Sequence, residues 1–332
     1  MNTKIRNVAR LAVTAVVAVT VAACGSATSG SSGTPTNVQF IVDTGPGGGS
    51  DLFARQLIKI ARDEGVMTDN WPVVAKSEGG GLGAMAFLKS KAGSNDLISA
   101  FTSKWIIAGQ VTDSAPARLA DLTPIVMLAD EIQVVAAPVN APFNTMSEFI
   151  VAARANAGEM VQTGGSPNSV DNLVALQIQQ STGTKWKYLS FDDGAPRITA
   201  MLRGDAQIDI GALPDFADQI DAGKLKLIGV FSDKRLPDHP DVPTIAEQNI
   251  NLGEFPDHLQ FRGIAGPPKM SAEAVKFYQD FFQKVGATDA WKSYLASEGL
   301  VPEFVTGDDL TKQIQEFSDA TKPLVASMVN KG

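Results

Sequence analysis

The stretch VQFIVDTGPGGGSDLFARQL, residues 38–57, decides the fold class. Its first part, 38–44, is apolar and β-branched and predicts a strand. From residue 51 to 63, apolar side chains fall at 52, 53, 57, 58, 60 and 61, the stripe of an amphipathic helix. Gly47, Gly48 and Gly49 lie at the junction, with Ser50 or Asp51 placed to cap the helix. Glycine admits positive φ and lets another group approach the backbone closely. Successive N–H groups there can form an anion nest, and the helix amino end adds partial positive charge. Asp51 cannot welcome an anion directly, so it is expected to cap the helix or order a water. A plain flexible turn is the alternative. The loop is not a nucleotide signature: GPGGGS lacks the third glycine of the dinucleotide fingerprint, and no Lys-Ser/Thr follows.

Working outward, the arrangement recurs. Gly79, Gly80 and Gly81 precede a helical segment to residue 91, after a predicted strand at 71–75. Thr163, Gly164, Gly165 and Ser166 follow a strand at 160–163 and precede a helix at 170–181 that Ser169 could cap. Asp192, Asp193 and Gly194 follow a strand at 186–191 and precede a helix beginning near Pro196. Further strands are expected at 97–101, 125–128, 133–138, 208–212, 225–231 and 261–265. Helices are expected at 147–156, from 244, at 272–285, at 289–298, and at 308–328 with an interruption at Pro323. Alternating strands and helices predict an α/β fold with largely parallel sheets. Such sheets bind ligands beyond the carboxyl ends of their strands, so two domains would share one cleft.

The amino end reads as an address. Lys4, Arg6 and Arg10 precede an apolar run from 11 to 23, too short to span a bilayer, which takes about 20 residues. Residues 1–23 are therefore expected to be a signal peptide. Its end, VAAC, resembles a lipobox, with Cys24, the one cysteine in the chain, as the lipidation site. The Gly/Ser/Thr-rich remainder of 24–37 predicts a flexible tether. Two acyl chains hold a protein on a membrane where one is marginal.

The formal net charge is −8, and removal of 1–23, with three basic and no acidic residues, takes it to −11. An acidic body argues against nucleic acid as partner. It does not exclude an anionic small ligand, because a site is local. The two histidines, His239 and His258, lie in Pro/Asp-rich loops and are expected at the surface. There is no HExxH, CxxC or GxSxG, so no metal, cofactor or nucleophilic triad is expected. Trp71, Trp105, Trp186 and Trp291 are expected in the core, with Trp105 a candidate for the cleft. Arg197 is a candidate to reach a ligand carboxylate bidentately.

Several segments resemble the tripartite tricarboxylate transporter receptor family, the Bug receptors. VDTGPGGGSDLFAR (42–55) is similar to the family's first ligand loop, and AKSEGGGLGAMAFL (75–88) to its second glycine loop. DLTPIVML (121–128) resembles the segment entering the second domain, and TGGSPNS (163–169) that domain's glycine loop. YLSFDDGAPRITAMLRGDAQIDIG (188–211) and RLPDHPDVPTIAEQ (235–248) follow in the family's order. The resemblance implies a two-domain periplasmic-binding-protein-like fold of the Venus-flytrap type. Domain 1 would span 38–136 plus 258–332, and domain 2 would span 137–257. It implies a monomeric extracytoplasmic receptor that captures a small organic carboxylate and delivers it to one large and one small membrane subunit. By position it carries ligand binding to Gly47, Gly48, Gly49, Ser50 and Asp51, to Gly80 and Gly81, to Thr163, Gly164, Gly165 and Ser166, and to Phe191, Asp192 and Gly194. Asp43 and Thr44 depart from the family pattern, as do Ser77 and Glu78. An acid beside an anion site either faces away or meets a ligand that carries a donor. The other readings are a ligand sensor for a membrane signalling partner and an extracytoplasmic enzyme using Asp51, Asp192 and Asp193.

Overall fold

The computed structural model describes residues 33–167, 169–191, 194–253 and 259–329. The readings made for residues 1–32, including Cys24, and for Asp192, Asp193 and His258 lie outside the described residues. Two mixed sheets organise the chain. The first takes β1 (Gln39–Val42), β2 (Val73–Ala75), β3 (Leu97–Thr102), β4 (Thr123–Glu131), β10 (Gln260–Gly266) and β11 (Leu300–Val305) in the order β11-β4-β10-β3-β1-β2. The second takes β5 (Gln133–Pro138), β6 (Val161–Gly164), β7 (Lys187–Ser190), β8 (Ile208–Ala212) and β9 (Leu225–Phe231) in the order β7-β6-β8-β5-β9. The helices are α1 (Gly49–Asp63), α2 (Leu82–Ser90), α3 (Ser103–Gln110), α4 (Met146–Ala155), α5 (Val170–Thr182), α6 (Gly194–Arg203), α7 (Leu213–Asp221), α8 (Ala272–Ala287), α9 (Asp289–Ser297) and α10 (Gly307–Val329).

The expectation of largely parallel sheets needs correction. β1 pairs in parallel with β2 and β3, and β6 with β7 and β8. The strands that carry the chain between the sheets, β4, β5 and β10, pair antiparallel with their neighbours. β4 leaves the first sheet in the direction of β1 and β3, whereas β5, on entering the second sheet, and β10, on returning to the first, run against the strands built from βαβ units.

Each sheet is buried under helices. Phe40 and Val42 join Phe53, Leu57, Phe282 and Trp291 beneath α1, α8 and α9, where Phe53 meets Trp291 edge to face at 5.6 Å. In the second sheet, α4 and α5 cover Val135, Ile208 and Ile210 with Phe149, Leu173 and Ile178. α10 packs on α3 and β4 and also touches α5, so it belongs to both surroundings. The helix runs unbroken through Pro323. Residues 245–249 form turns, not the helix expected from 244.

Candidate functional site

The topology brings the carboxyl ends of the parallel strands of both sheets to one place. β4 ends at Glu131, β5 starts at Gln133 and β10 starts at Gln260, and these three residues mark the passage between the sheets. Two cavities adjoin there, sharing Ser169, Val170 and Gln260. One, of about 320 Å³, is walled by Gly80, Leu82, Lys104 and Ile107 on one side and by Ser166 and Val170 on the other. The second, of about 310 Å³, is walled by Glu131, Gly165, Asp171, Arg197 and Asp215.

The first glycine loop is held from beneath. Asp43 is 4% exposed and accepts hydrogen bonds from Ser50 Oγ at 2.5 Å and Trp105 Nε1 at 2.9 Å. This answers the question raised by an acid beside an anion loop: Asp43 turns inward and fixes the helix start. Trp105 is fully buried under the loops, where it positions Asp43. Asp51 is also buried and accepts from Gly47 N–H at 3.0 Å and Arg55 Nε at 2.9 Å. The Arg55 hydrogen bond, aided by Gly47 N–H and opposed by burial, holds the Asp51 carboxyl below its ordinary value of 3.8. The predicted caps are therefore corrected. Gly48 is the N-cap of α1, Ser50 serves Asp43, and Thr44 Oγ1 accepts from Asp51 N–H at 3.2 Å. Gly48 N–H goes to Gly45 O, and a Cβ on Gly48 would press on Thr44. The Gly49 and Ser50 N–H groups, in the first turn of α1, have no acceptor among the described residues.

Gly79, Gly80 and Gly81 all have positive φ, 61°, 63° and 109°. At Gly81 the requirement is also steric, since a Cβ would lie 2.6 Å from the Trp105 ring. Gly80 faces Lys104, whose Cε lies 3.2 Å from the position of a Cβ.

The second-sheet loop follows the same principle with different parts. Asp171, in the first turn of α5, accepts from Gly165 N–H at 2.7 Å and from Tyr188 Oη at 2.7 Å. Gly164 has no space for a side chain: a Cβ would overlap Tyr188 Oη and Asp171 Oδ2. Burial, with Asp171 beside it, raises the Tyr188 hydroxyl above its ordinary 10.0. Thr163 is fully buried and directs its hydroxyl to Ile208 O at 3.4 Å. Ser166 lines the first cavity. Ser169 takes the N-cap position of α5, but its hydroxyl donates to Ser166 O at 2.6 Å. Phe191 is half-buried and its N–H donates to Gly164 O at 3.0 Å. Gly194 is exposed and begins α6, with no atom near its Cβ position, so Pro196 is the third residue of the helix.

Behind this loop lies a buried ion pair. Arg197 clamps Asp209 with Nε at 3.0 Å and Nη2 at 2.6 Å, and Nη2 also donates to Ile210 O at 3.1 Å. Arg197 thus reaches a carboxylate bidentately, but it is the protein's own. Burial pushes the Asp209 carboxyl up to about 7, against the pull of Arg197 and with the push of Asp171.

Four further residues in or beside the cleft, Arg262, Glu131, Ser103 and Lys104, carry no glycine signature that would mark them in the sequence. Arg262, on β10, lies over the Phe53 ring at 5.5 Å and 3.5 Å from Glu131 Oε1, with Nη1 3.9 Å from the Gly49 Cβ position. Its buried Nε has no hydrogen-bond partner among the described residues. Glu131 also accepts from Gln260 Nε2. Ser103 is 1% exposed, opens α3 and lines the first cavity, and its Oγ has no partner among the described residues. Lys104, next to it, is exposed and makes no ion pair among the described residues.

The 235–248 segment is structural. Thr244 and Glu247 bond each other's backbone N–H groups, and Glu247 accepts from Arg235 Nε at 2.8 Å. The loop is pinned to β9 through Val230 and Thr244. No group of His, Cys, Asp and Glu among the described residues could hold a metal ion, and no helix among them is long and apolar enough to cross a membrane.

Comparison with known proteins agrees with this architecture. A TctC solute-binding protein from Polaromonas superposes with a TM-score of 0.75 at 21% identity, covering 87% of this chain and 98% of that one. An R. palustris protein solved with adipate superposes with a TM-score of 0.70 at 19% identity, covering 89% and 98%. The fold is thus a two-domain periplasmic-binding-protein-like α/β fold. In sequence, Protein BugT of Bordetella pertussis is 26% identical over 303 residues, 88% of this chain and 90% of the relative. The model of the tripartite tricarboxylate transporter family receptor matches residues 73–329. The chain therefore belongs to the tripartite tricarboxylate transporter receptor family, a family of solute-binding receptors.

Proposed function

We propose that this protein is a lipid-anchored extracytoplasmic receptor that captures a small organic carboxylate between its two sheets. It then delivers the acid to the large and small membrane subunits of a tripartite transporter. The observation that carries the reading is the pair of adjoining cavities walled by residues of both sheets, with glycine loops and helix amino ends around them. Such a site can hold an anion through N–H groups and close by rotation about the segments near Glu131 and Gln260. The adipate in the R. palustris neighbour supports an organic acid as ligand. The VAAC sequence supports cleavage after residue 23 and lipidation of Cys24.

The domain division proposed is 38–136 plus 258–332 and 137–257; its first boundary falls inside β5. The working unit is a monomer and performs no covalent chemistry. The proposed ligand loops are Gly47–Asp51, Gly80–Gly81, Thr163–Ser166 and the segment Phe191, Asp192 and Gly194. A thermal-shift screen of the purified protein against organic acids, with and without Mg²⁺ or Ca²⁺, tests the capture step. Ligand at 100 times its Kd adds about 2.7 kcal/mol of stability. A flat response to every acid overturns the reading. Loss of membrane association in Cys24→Ser is the result expected for the anchor; unchanged association overturns it.

A further inference from the structure

The two cavities differ in charge, and the difference bears on which acid fits. The cavity at α3 is walled largely by hydrocarbon, from Leu82, Ile107, Val111 and Val170. Among the described residues its one charged wall residue is Lys104, which makes no ion pair with any of them. Beside it in sequence, Ser103 also lines this cavity at the amino end of α3, and its Oγ is buried without a partner among the described residues. A buried hydroxyl left unsatisfied costs free energy that an acceptor would recover.

The adjoining cavity has the opposite character. Among the described residues, Glu131, Asp171 and Asp215 line it against the single cation Arg197, which Asp209 already holds. Arg262 is matched in turn by Glu131. A second carboxylate extending from Lys104 past Gln260 would enter this acid-rich end, where like charges repel in a partly desolvated space.

We propose that the cleft selects a monocarboxylate with an apolar body. Its carboxylate is anchored by Lys104 and Ser103, its chain lies along Ile107, Val111 and Val170, and its far end carries no negative charge. This rests on the receptor reading above and narrows it, away from tricarboxylates and away from the dicarboxylate held by the R. palustris neighbour.

Isothermal titration calorimetry with hexanoate, adipate and citrate separates the cases, because hexanoate and adipate differ by one terminal carboxylate. The expected result is hexanoate binding at least tenfold more tightly than adipate, with citrate weaker still. Lys104→Met should weaken hexanoate tenfold or more, and Lys104→Arg should retain most of the affinity. Lys104 is exposed, so these variants are expected to fold, and an unchanged circular dichroism spectrum checks that. Tighter binding of adipate or citrate than of hexanoate overturns the proposal while leaving the receptor reading standing. Unchanged hexanoate affinity in Lys104→Met does the same. Silence from all three acids, together with a flat thermal-shift panel, overturns both.

Discussion

The two glycine loops solve one problem with different parts. In each, an aspartate in the first turn of the following helix turns back to accept a loop N–H: Asp51 from Gly47, and Asp171 from Gly165. What stands behind each loop differs. The first rests on Asp43, Ser50 and Trp105, and its aspartate shares an exposed arginine, Arg55. The second rests on Tyr188 and on the buried Arg197–Asp209 pair. An acid in such a loop is thus a strut that shapes the nest, and at Asp51, which lines neither cavity, its presence does not argue against an anion as ligand.

The difference predicts unequal sensitivity to mutation. Removing one partner of a buried ion pair leaves an uncompensated charge and costs about 3–5 kcal/mol. Arg197→Met should approach that loss in urea unfolding and abolish acid binding. Trp105→Phe removes one donor from buried Asp43 and should cost about 1–3 kcal/mol. If the two variants lose equal stability, the contrast between the supports is wrong.

Within the loops, Gly164→Ala must displace Tyr188 or Asp171 and should cost about 1–3 kcal/mol through overpacking, with loss of binding. Gly49→Ala meets nothing nearer than Arg262 Nη1 at 3.9 Å and should change stability by less than about 0.5 kcal/mol. Equal costs at the two positions would show that the second loop yields where the structure has it rigid.

The loops should also answer pH with opposite signs. Asp51 has a lowered folded pKa, so its contribution is present above 3.8 and lost as pH falls below that value. Asp209 has a raised folded pKa, so its contribution is full below 3.8 and lost as pH rises through about 7. Thermal unfolding should therefore show a decline between pH 4 and 7 that Asp209→Asn flattens. Asp51→Asn should alter only the limb below pH 4. A pH 4–7 slope untouched by Asp209→Asn contradicts the assignment.

Much of this was legible in the sequence because it is local. Strand, glycine and helix sit side by side at 38–57 and 160–181, and β5, β8 and β9 fall where their apolar runs place them. α3 escaped notice because SKWIIAGQ is as apolar as a strand and lacks a glycine entry, and with it went Ser103 and Lys104. Arg262 and Glu131 are 131 residues apart, brought together only by antiparallel pairing of β10 with β4. The sequence offers Arg197 as a candidate for a ligand carboxylate because its partner Asp209 arrives on a later strand, β8. The mixed sheets escaped for a related reason: strand direction is set by how the chain crosses between the two sheets, which no local pattern records.

Capture as proposed requires that one ligand be held by both sheets at once. The direct measurement is a crystal structure of the protein with the tightest-binding acid from the panel. The expected result is a carboxylate within hydrogen-bond distance of a residue before β5 in sequence, such as Lys104 or Ser103, with Ser166 or Ser169 closing on the same molecule. An acid touching one sheet's residues alone, with none from the other, would contradict it.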